Sequence, residues 1–495
     1  MTNTTYPTNK TNPSSNEVGY VISSRDFLAL LDGLPTIQLE DIVENEEGVR
    51  GMVYTLSPNQ VSVLILDEGS VTPGQLFHRT GERLSVSVGP FLLGRAVNPL
   101  GVPIDGKGLL SKTATTTKLP LEQPAPGINA RQFIQEQFSS GLTIIDTLIP
   151  LGKGQRELVM GDGHAGKTSF LINLVVNQKQ TETICIYTII GKPTTAIRTI
   201  IDVLRANDAL AHTVVIASSS TEPTPLIFLT PKVAFTVAEY FQRQGKDVLV
   251  ILDDMGTHAK IYREISLLLG RAPGRESYPG DIFYQHAHLM ERAGKFKDEF
   301  GGGSITALPV IELNLSDFTT FIPTNLMSIT DGHLLFRSSL HNKGQRPAID
   351  LSLSVSRVGR QTQGVVQNLL SRRLRQVLAQ AEELETVSRF SSELPAETQL
   401  ILHQKGMIEE MMKQDMLTSI PKEVQVAVLG LVFTSFLHDK DSDFIRKYKD
   451  KLVQTFTNDP KIVSSVTSRI TTMQSDQELI QALEKVVPEL KEICQ

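Results

Sequence analysis

The stretch that decides the fold is GDGHAGKT, residues 161–168, which has the pattern Gly-x-x-x-x-Gly-Lys-Thr. The apolar run ELVMG (157–161) precedes it, and the helix-like segment KTSFLINLVVNQK (167–179) follows it. A strand before this pattern and a helix after it distinguish a phosphate-binding loop from an ordinary glycine-rich turn. The sequence therefore predicts a loop that holds the phosphates of a nucleotide.

The residue types of this loop suit that chemistry. Glycines allow backbone conformations that a Cβ atom forbids, so that successive N–H groups point at phosphate oxygens. We expect Lys167 to reach the terminal phosphates and the Thr168 hydroxyl to bind Mg²⁺, while the start of the helix adds a favourable dipole. The other residues predicted to contact the nucleotide here are Gly161, Asp162, Gly163, His164, Ala165 and Gly166.

Apolar runs alternate with helix-like segments on both sides of the loop. This alternation predicts right-handed crossovers and a mostly parallel sheet covered on both faces. One run, VLVIL (248–252), ends in Asp253 and Asp254. At the carboxyl edge of the sheet Asp253 would face the loop and hold Mg²⁺ through water, although a buried strand also ends in Asp as a plain cap.

Hydrolysis needs a carboxylate or amide that orients water, and in such a sheet this group sits at the end of the strand beside the loop. We expect that strand to be the run ending in YTIIGKPTT (187–195), where the position is occupied by Lys192. A protonated lysine cannot act as a base, and Glu182 precedes the strand at the wrong edge. The sequence therefore predicts binding without turnover, with Lys192 near phosphate.

The whole chain is predicted to be a multidomain α/β protein. Short strands separated by turns suit a small antiparallel barrel or sandwich, and we expect an N-terminal β-barrel over residues 17–88. The nucleotide-binding domain is expected to follow over residues 89–363. Helical spacing without strand signals indicates a C-terminal α-helical bundle over 364–495. Residues 1–16, rich in Asn, Thr and Pro, are expected to form a disordered polar tail.

Composition excludes several classes of function. The net charge of −6 and the pI of about 6.0 provide no excess of basic residues for nucleic acid. No apolar stretch reaches the roughly 18 residues of a membrane span. The two cysteines, Cys185 and Cys494, form no disulfide framework. We therefore expect no nucleic-acid partner and no direct insertion into a membrane.

From about residue 51 to about residue 439 the chain resembles the alpha subunits of F-type ATP synthases, the non-catalytic members of an alternating ring. The segments SITALPVIE, IPTNLMSITDG and SVSRVG are similar to alpha rather than to the catalytic beta subunits. The further matching segments are LGRAVNPLGVPIDGKG (93–108), PLGKGQRELVMGD (150–162), YREISLLLGRAPGRESYPGDIFYQHAHLMERAGK (262–295) and PAIDLSLSVSRVG (347–359).

The resemblance assigns roles to single residues. Arg346, Pro347 and Gln414 match positions near the adenine of bound ATP or ADP. Arg357 matches the arginine finger that reaches across the subunit boundary into the catalytic site of the beta subunit. A guanidinium suits the charge that develops on a transferring phosphoryl group, because it is planar and always protonated.

Ser354 and Ser328 match the neighbourhood of the same subunit boundary. The resemblance also implies a RecA-like central domain, an alternating hexamer with beta subunits, a gamma subunit as central shaft and a peripheral stalk of delta and b type. It implies a position on the cytoplasmic face of a bacterial inner membrane, where ATP synthesis or hydrolysis is coupled to transmembrane ion transport.

The chain departs from the family pattern at several positions. The loop has Gly163-His164-Ala165 where alpha subunits usually have Arg-Gln-Thr, and Lys192 stands in place of Gln. Met416 replaces a second glutamine near the adenine. Residues 1–16 differ from the leading helix that docks the peripheral stalk, which leaves the mode of stalk attachment open.

Two alternatives follow from these departures. One is a nucleotide-poor paralogue of alpha that acts only as a scaffold. The other is a homohexameric RecA-like motor, which would need both a base and a finger in one chain, whereas this chain has Arg357 but Lys192 at the position of the base.

Overall fold

The computed structural model describes residues 17–110, 116–314, 317–388 and 395–494. The polar tail expected at residues 1–16 lies outside this part of the chain. The described residues form a β-barrel, a central domain built on a mostly parallel sheet, and a C-terminal helical region, in that order. The predicted fold class is confirmed.

Six strands close the N-terminal barrel. These are β1 (Val18–Arg25), β2 (Leu28–Gly33), β3 (Asp41–Asn45), β4 (Arg50–Ser57), β5 (Gln60–Ile65) and β6 (Leu76–Arg83). They pair in the order β1–β2–β5–β4–β3–β6, and β1 pairs with β6 to complete the ring. Because neighbouring residues of a strand point to opposite faces, one set of aliphatic side chains, including Leu31, Val53 and Val63, fills the interior.

Three short strands follow the barrel: β7 (Ser85–Val88), β8 (Ala96–Val97) and β9 (Thr117–Pro120). The alternating segment at β7 was expected within the barrel, but it lies outside the closed ring and pairs with β9. The reason is the direction of its apolar face, since Val86 and Val88 are buried in the core cluster of the central domain. β8 lies in the glycine-rich connection and forms an edge strand of the central sheet.

The remaining strands build the central domain. They are β10 (Gln137–Phe138), β11 (Leu151–Gly152), β12 (Glu157–Asp162), β13 (Ile184–Lys192), β14 (Thr213–Ser219), β15 (Asp247–Asp253), β16 (Gly294–Lys295), β17 (Ser304–Leu313), β18 (Gly332–Phe336) and β19 (Val355–Ser356). The main sheet has the order β19–β18–β12–β17–β15–β13–β14–β8. Its pairs are parallel except for β19 on β18 and for β16, which pairs with β17.

This order corrects one expectation. The strand that ends at Lys192 was expected beside the strand of the phosphate-binding loop, but β17 and β15 lie between β12 and β13. β17 is buried along nearly its whole length, so it belongs in the middle of a sheet covered on both faces. Chain order does not fix spatial order, because a crossover helix can carry the chain past a neighbouring strand.

Helices cover the sheet and form the C-terminal region. They are α1 (Lys167–Asn177), α2 (Thr194–Ala206), α3 (Thr224–Gln242), α4 (Met255–Leu268), α5 (Ile282–Met290), α6 (Phe321–Ile329), α7 (Ser338–Asn342), α8 (Val365–Ser388), α9 (Ala396–Met412), α10 (Lys422–Gly430), α11 (Ser442–Asn458), α12 (Pro460–Ser465) and α13 (Asp476–Ile493). One continuous apolar cluster joins α1 to the C-terminal helices. Among the described residues, no helix combines the length and the hydropathy that crossing a membrane requires.

Candidate functional site

The ends of four neighbouring parallel strands meet at one edge of the sheet. β12 ends at the phosphate-binding loop, and β17, β15 and β13 carry Glu312, Asp253 and Lys192 near their carboxyl ends. The strand register brings these residues to the same end of the sheet, since Gly161 pairs with Glu312 and Ile189 pairs with Asp253. A cavity of about 690 Å³ elsewhere is larger, but the one at this edge, of about 530 Å³, is lined by the loop and all three side chains.

Backbone geometry explains the glycines of the loop. Gly161 has φ +153°, and a Cβ atom at this position would lie 2.2 Å from the carbonyl oxygen of Phe336 on the neighbouring strand. Gly166 has φ +91° and stands immediately before α1. Both positions therefore require the absence of a side chain, as the sequence predicted. His164, also in a left-handed conformation with φ +59°, is exposed at the tip of the loop.

Lys167 is buried, and its ammonium bonds to the loop itself. Its Nζ donates to the carbonyl oxygens of Gly161 at 2.7 Å and of Asp162 at 2.5 Å. Burial lowers the pKa of Lys167 from its ordinary value, an effect that the carboxylates of Glu312 and Asp253 oppose. The loop thus holds one cation beneath the cavity, where it can turn from carbonyls to phosphate oxygens.

Lys192 and Asp253 form an ion pair within the same cavity. The Lys192 Nζ donates to Asp253 Oδ2 at 2.5 Å, and the carboxylate side chain is only 5 % exposed. Burial raises the pKa of Asp253, and the charge of Lys192 opposes that effect. The two residues belong to adjacent strands, so this pairing places Lys192 at the edge where the sequence predicted it.

The predicted ligands of Mg²⁺ also lie here. Thr168 is exposed at the start of α1 and lines the cavity together with Asp253. Hydroxyl and carboxylate oxygens are the donors that Mg²⁺ prefers. The donor types therefore fit a magnesium ion, which would screen the charge of bound phosphates, but the carboxylate of Asp253 is already neutralised by Lys192.

A second cavity, of about 290 Å³, adjoins the first. It is less polar and is lined by Leu142, Phe170, Pro347 and Met416, with Arg346 and Gln414 at its wall. Gly166, Ser169 and His341 line both cavities. A planar base beside the apolar side chains and a phosphate chain at the loop would suit this pair of spaces.

The polar atoms of Gln414 are occupied by the backbone. Its Nε2 donates to the carbonyl oxygens of Gly141 at 2.7 Å and of Thr418 at 2.9 Å, and its Oε1 accepts from the N–H of Thr143 at 3.0 Å. Both amide hydrogens are therefore used. In this arrangement Gln414 fixes the wall of the cavity between the central and helical domains.

Sequence reasoning missed two side chains at this site. Glu312 is the penultimate residue of β17, the strand directly beside β12. A Cβ atom on Gly163 would lie 2.9 Å from its Oε1. His341 lies on α7, and a Cβ atom on Gly166 would lie 3.5 Å from its Nδ1. The run ITALPVIEL, which ends one residue after Glu312, was the available signal for the first, but no local pattern indicated His341.

Arg357 lies at the amino end of the parallel strands, opposite the end that carries the phosphate-binding loop. Its N–H donates to the carbonyl oxygen of Asp331 at 3.0 Å, and the next residue, Gly332, pairs with Glu157, the first residue of β12. The carboxylate of Asp331 is held by Arg156 at 2.7 Å. In the part of the chain that the structure describes, no ion pair engages the exposed Arg357 side chain.

The two serines assigned to the same region differ in exposure. Ser354 is 3 % exposed, and its hydroxyl oxygen accepts a hydrogen bond from the N–H of Leu335 at 2.9 Å. This contact fixes the segment that leads to Arg357. Ser328 is exposed on α6, where its hydroxyl donates to the carbonyl oxygen of Asn325 at 2.7 Å. Only Ser328 presents its side chain at the surface.

Comparison with known proteins agrees with this architecture. Residues 141–356 match the family model described as ATP synthase alpha/beta family, nucleotide-binding domain, and residues 363–490 match ATP synthase alpha/beta chain, C terminal domain. The chain is 40 % identical over 473 residues to the ATP synthase subunit alpha of Metamycoplasma arthritidis (strain 158L3-1), covering 95 % of this chain and 89 % of that protein. It is 43 % identical over 441 residues to the ATP synthase subunit alpha of Streptococcus pyogenes serotype M5 (strain Manfredo), covering 89 % and 87 %.

Proposed function

Because this chain belongs to the ATP synthase alpha/beta family and is similar to alpha subunits along most of its length, we propose that it is the non-catalytic alpha subunit of a rotary F-type ATP synthase. In this role it binds ATP or ADP with Mg²⁺ at its own phosphate-binding loop. It supplies Arg357 to the catalytic site of an adjacent beta subunit.

One observation carries this proposal: the loop and Arg357 lie at opposite ends of β12. The N–H of Arg357 bonds to Asp331, the residue before Gly332, and Gly332 pairs with Glu157 at the start of β12. The loop begins at Gly161, four residues further along that strand. At roughly 3.3 Å per residue the two ends are about 13 Å apart. Arg357 therefore lies at the end of the sheet away from the phosphate-binding loop of its own chain, which suits a finger that acts on a neighbouring subunit.

The side chains that line the cavity support nucleotide binding without hydrolysis. Lys192 is paired with Asp253 and is not available as a base. Glu312 is the one observation that favours the competing function, an autonomous ATPase, because it is an exposed carboxylate at the end of the strand beside the loop. The two functions differ in whether the purified chain hydrolyses ATP.

The proposed assembly is an alternating hexamer with beta subunits around a gamma shaft. The C-terminal helices would surround the shaft, and a peripheral stalk of delta and b type would hold the ring. Attachment to the cytoplasmic face of a bacterial inner membrane is indirect in this proposal, since other subunits carry the transmembrane ion transport that is coupled to ATP synthesis or hydrolysis.

The test combines equilibrium binding and turnover on the purified full-length chain. We expect ATP to bind, as measured by isothermal titration calorimetry, with no steady release of phosphate. Lys167→Ala should weaken binding at least about tenfold, equivalent to about 1.4 kcal/mol. The matched control is Lys179→Ala, which removes an exposed surface lysine that pairs with Asp208.

Two results would contradict the proposal. Absence of ATP binding would favour the nucleotide-poor scaffold. Steady hydrolysis that Glu312→Gln abolishes would favour the autonomous motor and identify Glu312 as its base.

A further inference from the structure

The ion pair between Lys192 and Asp253 occupies the position where a nucleotide's metal ion would find its carboxylate. The Nζ–Oδ2 distance is 2.5 Å, and the side chains are 25 % and 5 % exposed. The backbone of Lys192 is itself fixed, because its carbonyl oxygen accepts from the N–H of Ser220 at 3.0 Å. The side chain thus starts from a fixed backbone, and its ammonium is held by the carboxylate of Asp253.

The other two carboxylates that line this cavity, Asp254 and Glu312, differ from Asp253 in their contacts. Asp254 caps α4, where its Oδ1 accepts from the N–H of Gly256 at 2.6 Å and its Oδ2 accepts from the Thr257 hydroxyl at 3.0 Å. Glu312 is exposed and lines the same cavity from β17, where it lies against Gly163 of the loop. A metal ion that used Asp253 would have to share this buried carboxylate with the ammonium or displace it. Either arrangement weakens the existing pair and brings two cations close together.

The ammonium can serve the phosphates without leaving Asp253. A lysine has three N–H donors, of which the carboxylate takes one. Lys192 lines the same cavity as the loop, together with Lys167, so its remaining donors can face an anion there. The positive charge that a divalent cation brings to a nucleotide is thus supplied in part by the chain.

We infer that Lys192 takes the place of the metal ion at Asp253, so that this site holds a nucleoside triphosphate with little dependence on Mg²⁺. The inference rests on the proposed nucleotide binding and specifies the chemical form of the ligand. Asp253 acts as the anchor of Lys192, and Thr168 and Glu312 provide the other protein oxygens for any Mg²⁺ that enters with the nucleotide.

The experiment measures the affinity of the full-length chain for ATP in excess Mg²⁺ and in excess EDTA. For the wild type, we expect the two dissociation constants to agree within about threefold, or about 0.7 kcal/mol. For Lys192→Gln, we expect binding in EDTA to be at least about tenfold weaker than in Mg²⁺, because the tethered charge is gone and Asp253 is free to hold the metal. Lys192→Arg should retain the wild-type ratio.

The control Lys179→Gln should also retain that ratio, since this exposed lysine pairs with Asp208 at 3.0 Å on the surface. Urea unfolding of each variant checks that the fold is intact. A wild type that binds ATP more than about threefold more weakly in EDTA than in Mg²⁺ would overturn the inference while leaving the proposed function standing. Equal ratios for wild type and Lys192→Gln would also overturn it, and absence of ATP binding under both conditions would overturn both proposals.

Discussion

Arg357 and Lys167 lie at opposite ends of the same central strand. Arg357 bonds to Asp331, whose neighbour Gly332 pairs with Glu157 at the start of β12, whereas Lys167 follows the loop at the other end. A single chain therefore cannot bring both cations to one phosphate chain without disrupting the sheet. Substitutions of Arg357 and of Lys167 should therefore affect different functions of the chain.

We expect Arg357→Ala to abolish most of the ATPase activity of a ring assembled with beta subunits. An arginine supplied in trans is worth about 10³–10⁵ in rate in related nucleotidases, so a loss of about 10³ is expected. Arg357→Lys should also have low ATPase activity, because an ammonium lacks the planar, forked set of N–H donors of a guanidinium. Steady-state phosphate release by the assembled ring measures this effect.

The control for the finger is nucleotide binding by the variant chain alone. Because the length of β12 separates Arg357 from the loop by about 13 Å, the dissociation constant for ATP should stay at the wild-type value. Retained ring activity, or lost binding by the isolated variant, would contradict the assignment.

Asp331 is expected to position the finger without touching the substrate. Its carbonyl oxygen accepts from the N–H of Arg357 at 3.0 Å, and its carboxylate accepts from Arg156 at 2.7 Å. Asp331→Asn keeps the first contact and weakens the second. Since small misplacements of catalytic groups are costly, kcat of the ring should fall between about tenfold and a hundredfold with KM nearly unchanged.

The matched control is Asp202→Asn, which weakens an exposed pair with Arg205 and should leave kcat unchanged. A purely structural role for Asp331 would lower the stability of the chain and leave the kcat of the folded ring at the wild-type value.

The loop glycines provide a matched pair of substitutions. Gly161→Ala should destabilise the chain by more than about 2 kcal/mol and abolish ATP binding, because its φ is +153° and its Cβ would lie 2.2 Å from the Phe336 carbonyl. Gly163→Ala should be tolerated, since its Cβ would meet only the flexible end of Glu312 at 2.9 Å. Urea unfolding measures the stability of each variant, and calorimetric titration measures its affinity for ATP. Equal stability and equal affinity of the two variants would contradict this account of the loop.

Stability should fall in mild acid because of a buried histidine pair. His258 Nδ1 and His286 Nε2 are 3.2 Å apart between α4 and α5. Burial lowers the pKa of His286 to about 4 and that of His258 well below its ordinary value. Between pH 6.5 and about 4 the unfolded chain binds protons that the folded chain excludes, so the free energy of unfolding decreases as the pH falls.

The expected slope is about 1.4 kcal/mol per pH unit for each histidine that titrates only in the unfolded chain. Urea denaturation at a series of pH values measures it. A variant with both residues changed, His258→Gln with His286→Gln, should lose this part of the slope whatever its stability at neutral pH. An unchanged slope in that variant would assign the acid sensitivity to other groups.

Sequence reasoning was most successful where the signal was local. The loop from Gly161 to Thr168 was placed between a strand and a helix, and the structure has it there because glycine geometry and helix initiation depend on adjacent residues. Reasoning was weakest for the order of strands. The neighbour of β12 is β17 rather than β13, so the carboxylate beside the loop is Glu312, which the sequence pattern did not single out.

The sequence by itself determined the phosphate-binding loop, the order of barrel, parallel sheet and helices, and the presence of Asp253, Lys192 and Arg357 as charged residues at or near strand ends. These features follow from hydrophobic periodicity and from the conformational demands of single residues. The tertiary structure alone decided that Lys192 pairs with Asp253, that His341 lines two cavities and that Arg357 lies at the other end of the sheet from its own loop. Each of these depends on which strands and helices become neighbours, and that is set by burial of apolar surface across the whole sheet rather than by any short segment.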